Sequence, residues 1–137
     1  MSYRSADNCA VQINGNTLVG IGTWDMSGIQ SATYDTTAFG DTYKQFISGI
    51  IDSGTISFSG VFDPDDTTGQ ILMGTYQQNQ THVTDIKLYI DSSSYYIPST
   101  TNPSSYVLIT QHTVNASMGN AIKTTFQGKV SGKMVLV

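Results

Sequence analysis

Alternation of apolar and polar side chains runs through most of the chain, and this two-residue period predicts β-strands. The first strands form a hairpin: residues 9–13 alternate, Asn14-Gly15-Asn16 supplies the turn, and residues 17–22 return. Asn-Gly between alternating runs is the strongest short hairpin signal. Further strands are predicted over residues 27–34, 54–63, 83–91, 95–97, 106–113 and from 122 almost to the end, with a bulge or bend at Gly128 and Gly132.

One segment, residues 68–79, has a helical pattern instead, with Ile71, Leu72 and Tyr76 as its apolar stripe. Thr67 and Gln70 have the spacing of a capping box, and Asp65 and Asp66 precede the helix, where its dipole favours negative charge. Strands outnumber the helix too heavily for β-α-β units. We therefore predict one all-β domain, residues 1–137: a two-sheet sandwich or small barrel with one flanking helix.

Residues 35–53 follow neither a two-residue nor a 3.6-residue period. Glycine, aspartate and threonine are frequent there, yet the segment also carries the large apolar residues Phe39, Tyr43, Phe46, Ile47, Ile50 and Ile51. A loop of this length is uncommon in a compact domain and is usually functional. A disordered linker would not hold so many large apolar side chains. We predict a long loop that becomes buried against a partner, such as another subunit.

Charged residues are few, at 12% of the chain, and the ten acids are all aspartate. Polar positions are filled by serine, threonine, glycine and asparagine, a composition that favours strands over helices. The net charge of −4 argues against a protein that grips a nucleic-acid backbone, and it suits a surface past which nucleic acid slides. Residues 1–7 hold no apolar signal region, and no run approaches the length of a membrane span, so we predict a soluble protein made in the cytoplasm, without a membrane partner.

Candidate catalytic and metal-binding groups are sparse. Cys9 lies in an alternating run and is predicted to be a small core residue. His82 and His112 lack metal-binding spacing, and each is predicted to be exposed or on a strand face. The densest acid cluster is Asp63, Asp65 and Asp66, which helix capping already explains and which lacks the spacing of a calcium loop. Nucleophile elbows, phosphate loops and dinucleotide motifs are missing from the sequence. We therefore predict a protein that is not an enzyme, with no cofactor and no metal.

The order of elements adds a further indication. A hairpin at residues 11–22 leads to a strand ending in Thr33-Tyr34-Asp35-Thr36-Thr37. The loop 38–46, the glycine-containing stretch 47–54 and the strand 55–63 follow. A helix comes after Pro64, and the last strand region contains Gln127-Gly128-Lys129-Val130-Ser131-Gly132. This order resembles that of the tail tube (major tail) proteins of long-tailed bacteriophages, over nearly the whole chain.

The resemblance implies a β-sandwich with one flanking helix that forms homohexameric rings, which stack into the hollow tail tube of the virion. In that family the inner sheets of six subunits join into one barrel, and the long loop reaches between rings. The lumen holds tape measure protein and then passes DNA into the host, while tail terminator and distal tail proteins lie at the tube ends. A strongly acidic strand face is missing here; Asp85, Lys87 and Asp91, which share one predicted face, are the candidates for lining the lumen.

Three other functions stay open from the sequence. A carbohydrate- or surface-binding sandwich, such as a virion decoration protein or adhesin, would place Tyr95, Tyr96 and Tyr106 on one exposed patch. The tube subunit of a contractile secretion system would share the predicted fold. A small barrel enzyme such as an isomerase is the least supported, because the sequence offers no candidate base.

Overall fold

Two β-sheets stack face to face with one helix beside them in the computed structural model, which describes residues 8–101 and 104–137. The strands are β1 (Ala10–Ile13), β2 (Asn16–Thr17), β3 (Ile21–Ser27), β4 (Gln30–Asp35), β5 (Phe46–Asp52), β6 (Thr55–Val61), β7 (Ile86–Tyr89), β8 (Tyr95–Pro98), β9 (Tyr106–Asn115), β10 (Lys123–Ser131) and β11 (Met134–Leu136). Helix α1 (Gln70–Asn79) follows β6. The predicted mostly-β sandwich with one helix is confirmed, and neither sheet closes into a barrel over these residues.

The four-stranded sheet has the order β3-β6-β10-β9, and each neighbouring pair is antiparallel. Its inner face carries alternate residues such as Phe58 and Phe126, whose rings stack with centroids 5.3 Å apart. The register between β9 and β10 shifts at Gln127/Gly128, which confirms the predicted bulge. A Cβ at Gly128 would lie 2.7 Å from Cγ1 of Val107, so a larger residue would push the two strands apart.

The five-stranded sheet has the order β11-β8-β7-β1-β2, and its inner residues Val11, Ile13, Ile86 and Leu88 are fully buried. Asn14 and Gly15 both have positive φ, as a two-residue hairpin turn requires, so the predicted turn is confirmed. The predicted return strand over residues 17–22 is wrong, because β2 ends at Thr17 and the chain crosses to the other sheet. The strand predicted at residues 27–34 is present as β4, which begins at Gln30, whereas Ser27 is the last residue of β3.

The predicted capping box at the start of α1 is wrong. The N-cap residue is Gly69, which has no side chain to accept a capping hydrogen bond. Gln70 is buried and therefore needs internal hydrogen-bond partners: its side-chain amide donates to the carbonyl oxygens of Val19 and Val61 and accepts from the N–H of Asp63. The Asp66 carboxylate accepts from the N–H groups of Gln70 and Val19, so these two side chains fasten the helix to the end of β6 and to the segment between β2 and β3.

The apolar stripe of α1 also differs from the prediction. Met73 is the helix residue that is fully buried in the core, whereas Ile71 is 38% exposed on the outer side. Gly74 lies against the His112 ring of β9, so that the helix covers the inner side of this strand. The helix therefore extends the second layer of the sandwich beyond the five-stranded sheet.

Residues 35–53, predicted as a long loop, include a strand: residues 46–52 are β5, which pairs with β4 to form a two-stranded sheet of its own. We call β4, β5 and the residues 36–45 between them the arm. Every residue of β4 and most of β5 are exposed, so neither face of the arm is buried in the subunit. Alternation is a sign of one buried face, and this is why the strand escaped detection by period.

Candidate assembly surfaces

The edge strands of the four-stranded sheet are long and largely open. β3 has seven residues and β9 has ten, and the outer edge of β9 is bonded only at Val107, which exchanges two hydrogen bonds with Val83, within the described residues. The five-stranded sheet ends instead in β2 and β11, of two and three residues. Natural proteins shorten or block exposed edges because unpaired main chain templates pairing with another chain. The four-stranded sheet is therefore the one equipped to pair with a second copy.

The outer face of this sheet is covered by no other element of the described chain and consists mainly of short polar side chains. In one row across the strands, Asp25, Ser57, Gln127 and Gln111 lie side by side; in the next row, Thr23, Ser59, Thr125 and Thr113 do. The other members are Ser27, Thr55, Val61, Lys123, Lys129, Leu108 and Asn115. We call this surface the polar face. Hydroxyl and amide groups predominate on it, and its charged members are few.

Lys129 of the polar face is neutralised at the base of the arm. Its ammonium lies 2.7 Å from the carboxylate of Asp52, and this hydrogen-bonded partner holds the pKa of Asp52 below its ordinary value. The same carboxylate accepts from the N–H of Gly54, a residue with positive φ at which a Cβ would collide with the main chain of Ser27. The arm thus leaves the sheet at a tightly held glycine corner.

The six large apolar residues predicted to meet a partner all lie on the arm, and all are exposed. Their exposed fractions are 108% for Phe39, 81% for Tyr43, 56% for Phe46, 57% for Ile47, 84% for Ile50 and 65% for Ile51. Hydrogen bonds within the subunit hold the arm in shape: the N–H of Gln45 donates to Thr37 Oγ1, and the N–H of Thr37 donates to the Asp35 carboxylate. The hydrogen bonds from Thr37 lower the pKa of Asp35. The structure therefore gathers these residues on one projecting element without covering them.

The three candidates for the lumen lie in β7 of the five-stranded sheet or directly beside it, away from the polar face. Lys87 is in β7, with its ammonium 5.0 Å from the centre of the Tyr95 ring. Asp91 follows this strand, and its carboxylate accepts from the N–H groups of Ser93 and Ser94 in the turn to β8. Asp85 precedes the strand, and its carbonyl accepts from the N–H of Asn14. Two of the three thus have evident local roles in packing or in a turn.

The three tyrosines of a sugar-binding patch are not brought together. Tyr96 packs edge-on against Trp24 between the sheets, and its neighbour Tyr95 lies against Tyr89. Tyr106 belongs to the four-stranded sheet and stacks on His82. A single exposed tyrosine patch, which the carbohydrate-binding alternative requires, is therefore not formed by these residues.

His112 lies on the inner side of β9 and takes part in packing. Its ring stacks on Phe126 with centroids 4.1 Å apart, and its Nε2 is 3.0 Å from Oγ1 of Thr124. Because that hydroxyl donates its proton to the carbonyl of Thr113, Nε2 is the donor in the histidine contact. Burial lowers the pKa of His112. Over residues 8–101 and 104–137, no three histidine, cysteine or acidic side chains form a group that could hold a metal ion.

A groove beside β3 was not foreseen from the sequence, because its walls come from separate segments. Cys9, Gly22, Thr23, Trp24, Ile90 and Tyr96 line it, with a volume of about 490 Å³. Cys9, predicted to be a core residue, is half-buried on its wall and donates from Sγ to the carbonyl of Gly22. Among the residues that the structure describes, none that lines this groove is charged.

No protein-family model matches the sequence, and no curated protein matches it. Solved structures do. A chain of the virion of a native gene transfer agent particle superposes with a TM-score of 0.77 at 13% identity, over 98% of this chain and 99% of that one. A chain from the tail of the empty particle, which has C6 symmetry, gives 0.76 at 13% identity over the same shares of the two chains. A chain from the sheath/tube terminator of the contractile injection system PVC gives 0.70 at 11% identity, over 100% and 98%.

These likenesses span whole chains on both sides. They confirm the fold class predicted from the order of elements, a β-sandwich of the tail tube type with one helix. Among the described residues, no helix is long and apolar enough to cross a membrane.

Proposed function

We propose that this protein is the structural subunit of a virion tail tube, in which hexameric rings stack into a hollow tube that conducts DNA into the host during ejection. The observation that carries the proposal is the four-stranded sheet with two long open edges, in a fold shared with a chain of a C6-symmetric tail. Its role is architectural rather than catalytic. The protein is made in the host cytoplasm and resides in the tail of the virion.

Strand directions favour closure of the ring. Since β3, β6, β10 and β9 alternate in direction, the two edge strands of the sheet run opposite to each other. Rotation about the tube axis does not change the direction in which a strand runs along that axis. β9 of one subunit therefore meets β3 of the next as an antiparallel pair. Six four-stranded sheets then give a barrel of 24 strands without edges. At a strand spacing of about 4.8 Å its diameter is at least about 37 Å, consistent with an open channel.

The polar face lines the lumen in this arrangement, because the five-stranded sheet and α1 cover the other side. Tight retention of DNA needs clustered cations that release counterions, and this face offers hydroxyl and amide groups with Lys129 already paired to Asp52. Asp85, Lys87 and Asp91 then belong to the outer wall, so the proposal moves the lumen to the other sheet. Tape measure protein is the occupant before ejection, and tail terminator and distal tail proteins close the ends.

The arm supplies the contact between stacked rings. An aromatic side chain brings roughly 150–250 Å² of surface, so Phe39, Tyr43 and Phe46 alone expose about 500 Å². One side of a standard protein interface buries about 800 Å². With the three isoleucines added, the arm carries enough apolar surface for a stable contact with the next ring.

Size exclusion with light scattering over a range of concentrations, followed by negative-stain microscopy, tests the proposal. We expect rings or tubes of uniform width as concentration rises. A strictly monomeric species at every concentration, without tubes, would contradict it.

The likeness to a chain of the PVC sheath/tube terminator supports a second candidate, the tube subunit of a contractile system. The two candidates differ in the outer wall, since a contractile tube is enclosed by a sheath. Co-sedimentation of assembled tubes with a sheath protein encoded beside this chain separates them: binding along the whole tube favours the contractile system.

A further inference from the structure

Helix α1 carries no charged residue along its ten positions, although one side of it faces solvent. Its outer side consists of the exposed residues Ile71, Thr75, Gln78 and Asn79. Solvent-facing helix surfaces normally carry charged and polar residues, whereas charged residues are depleted in the core of protein interfaces. The outer side of α1 therefore has the composition of a contact surface.

The groove beside β3 has matching chemistry at the opposite edge of the subunit. Its lining consists of Trp24, Ile90, Tyr96 and Cys9 together with Gly22 and Thr23. Trp24 already uses its indole N–H to donate to the carbonyl of Tyr89, so the groove offers mainly apolar surface. An uncharged helix side suits such a groove, because docking would not incur the cost of desolvating a charged group.

We propose that α1 of one subunit docks into the groove of the next subunit around the ring. The inference rests on the proposed ring closure through β9 and β3. Gly74 of the helix lies against His112, which places α1 directly behind β9. The T-shaped pair of Trp24 and Tyr96 places the groove directly behind β3. When β9 of one copy pairs with β3 of another, the layers behind these strands meet, and Ile71 is the large apolar residue that α1 exposes.

The contact is heterologous, since the helix of each subunit meets the groove of its neighbour and not its own kind. Such contacts close into rings when the rotation between subunits allows it. The helix contact and the strand pairing would then act together at one lateral interface.

The sole tryptophan and the sole cysteine of the chain both line the groove, so they report its occupancy without labels. We expect the emission of Trp24 to shift to shorter wavelength on assembly, and the reaction of Cys9 with a soluble maleimide to slow. Ile71→Asp should raise the concentration needed for assembly about tenfold or more, because it places a charge in an apolar contact. Ile71→Val is the matched control and should assemble as the parent does.

Thermal unfolding of each variant checks the subunit, and Thr75→Arg on the same helix side provides a second test should Ile71→Asp fold poorly. Tubes that form with unchanged Trp24 emission and Cys9 reactivity would overturn the inference and leave the tube proposal standing. Assembly of folded Ile71→Asp and Thr75→Arg at the parent concentration would overturn it as well. A parent protein that never assembles would overturn both proposals.

Discussion

Replacing Phe46 and Ile50 of β5 together by serine should abolish ring stacking and spare the subunit. Phe46 pairs with Asp35, and the register of β5 against β4 shifts between Ser48 and Ile51, so the two side chains do not share one face of the strand and together sample both. They are 56% and 84% exposed, so the lone subunit gains little from them. Burying a whole side chain of this kind stabilises by about 1.5–3 kcal/mol, and scaling by the exposed fractions gives about 2–4 kcal/mol for the pair. At about 1.4 kcal/mol per factor of ten, the association constant per contact falls roughly 30- to 1,000-fold.

The assay is the critical concentration for tube formation, measured by sedimentation and checked by negative-stain microscopy. The double variant should need a concentration at least about 30 times higher to form tubes. Its free energy of unfolding, measured from thermal melts, should change by less than about 1 kcal/mol. Phe46→Leu with Ile50→Val keeps the apolar surface and should stack normally. Ile47→Ser with Ile51→Ser removes the other two isoleucines of β5 and shows whether their side chains are covered as well.

Two results would refute the reasoning. Tubes that form at the parent concentration would mean that these two side chains stay in solvent after assembly. Loss of the thermal transition would mean that Phe46 and Ile50 support the subunit itself, against their exposure. A variant that forms single rings but no tubes would show directly that the arm acts between rings.

Three further outcomes are expected. Gln70→Ala should lower the free energy of unfolding by about 2–4 kcal/mol in chemical denaturation, because it orphans Val19 and Val61 carbonyls and the Asp63 N–H, while exposed Gln78→Ala should change it little. The free energy of unfolding should fall as pH drops below 6.5, because burial lowers the pKa of His112 and the unfolded chain then binds the proton more readily than the folded chain. Above pH 6.5 His112 should cause no such loss of stability. Melts at a series of pH values test this, and the loss should disappear in His112→Gln. Assembled tubes should give no electrophoretic shift of duplex DNA at micromolar protein and about 150 mM salt; a clear shift would argue against a non-retentive lumen.

Strands with one buried face could be predicted from the sequence. In β6 and β7, Ile56, Phe58, Ile86 and Leu88 alternate with half-buried residues, because each strand packs one side on the core. The Asn14-Gly15 turn was also predictable, since its positive φ angles are a local requirement. These features depend on neighbours in sequence or on burial of a single face, and both leave a pattern.

The start of α1 and the groove depend on distant partners and left no such pattern. Gln70 matched a capping box, but its amide is drawn instead to Val19 and Val61 because burial demands partners wherever they lie. The groove joins Cys9, Trp24, Ile90 and Tyr96 only after the sheets stack. Which sheet has open edges is likewise a matter of topology, and the polar alternation around Lys87 pointed to the wrong sheet for the lumen under the ring-closure proposal.

The arm and the outer side of α1 share one physical property: each is a regular element whose sequence does not suit the solvent around a lone subunit. β5 carries Phe46, Ile47, Ile50 and Ile51 on both faces, so it shows no alternation, and its sequence pattern predicts a loop. A strand that is apolar on both faces is typical of one buried on both faces, and the subunit buries neither. Under the assembly proposal, the missing cover comes from another subunit. Assembly explains with one cause both the absent period of the arm and the absent charge of the helix, two features that folding of the subunit alone leaves without a reason.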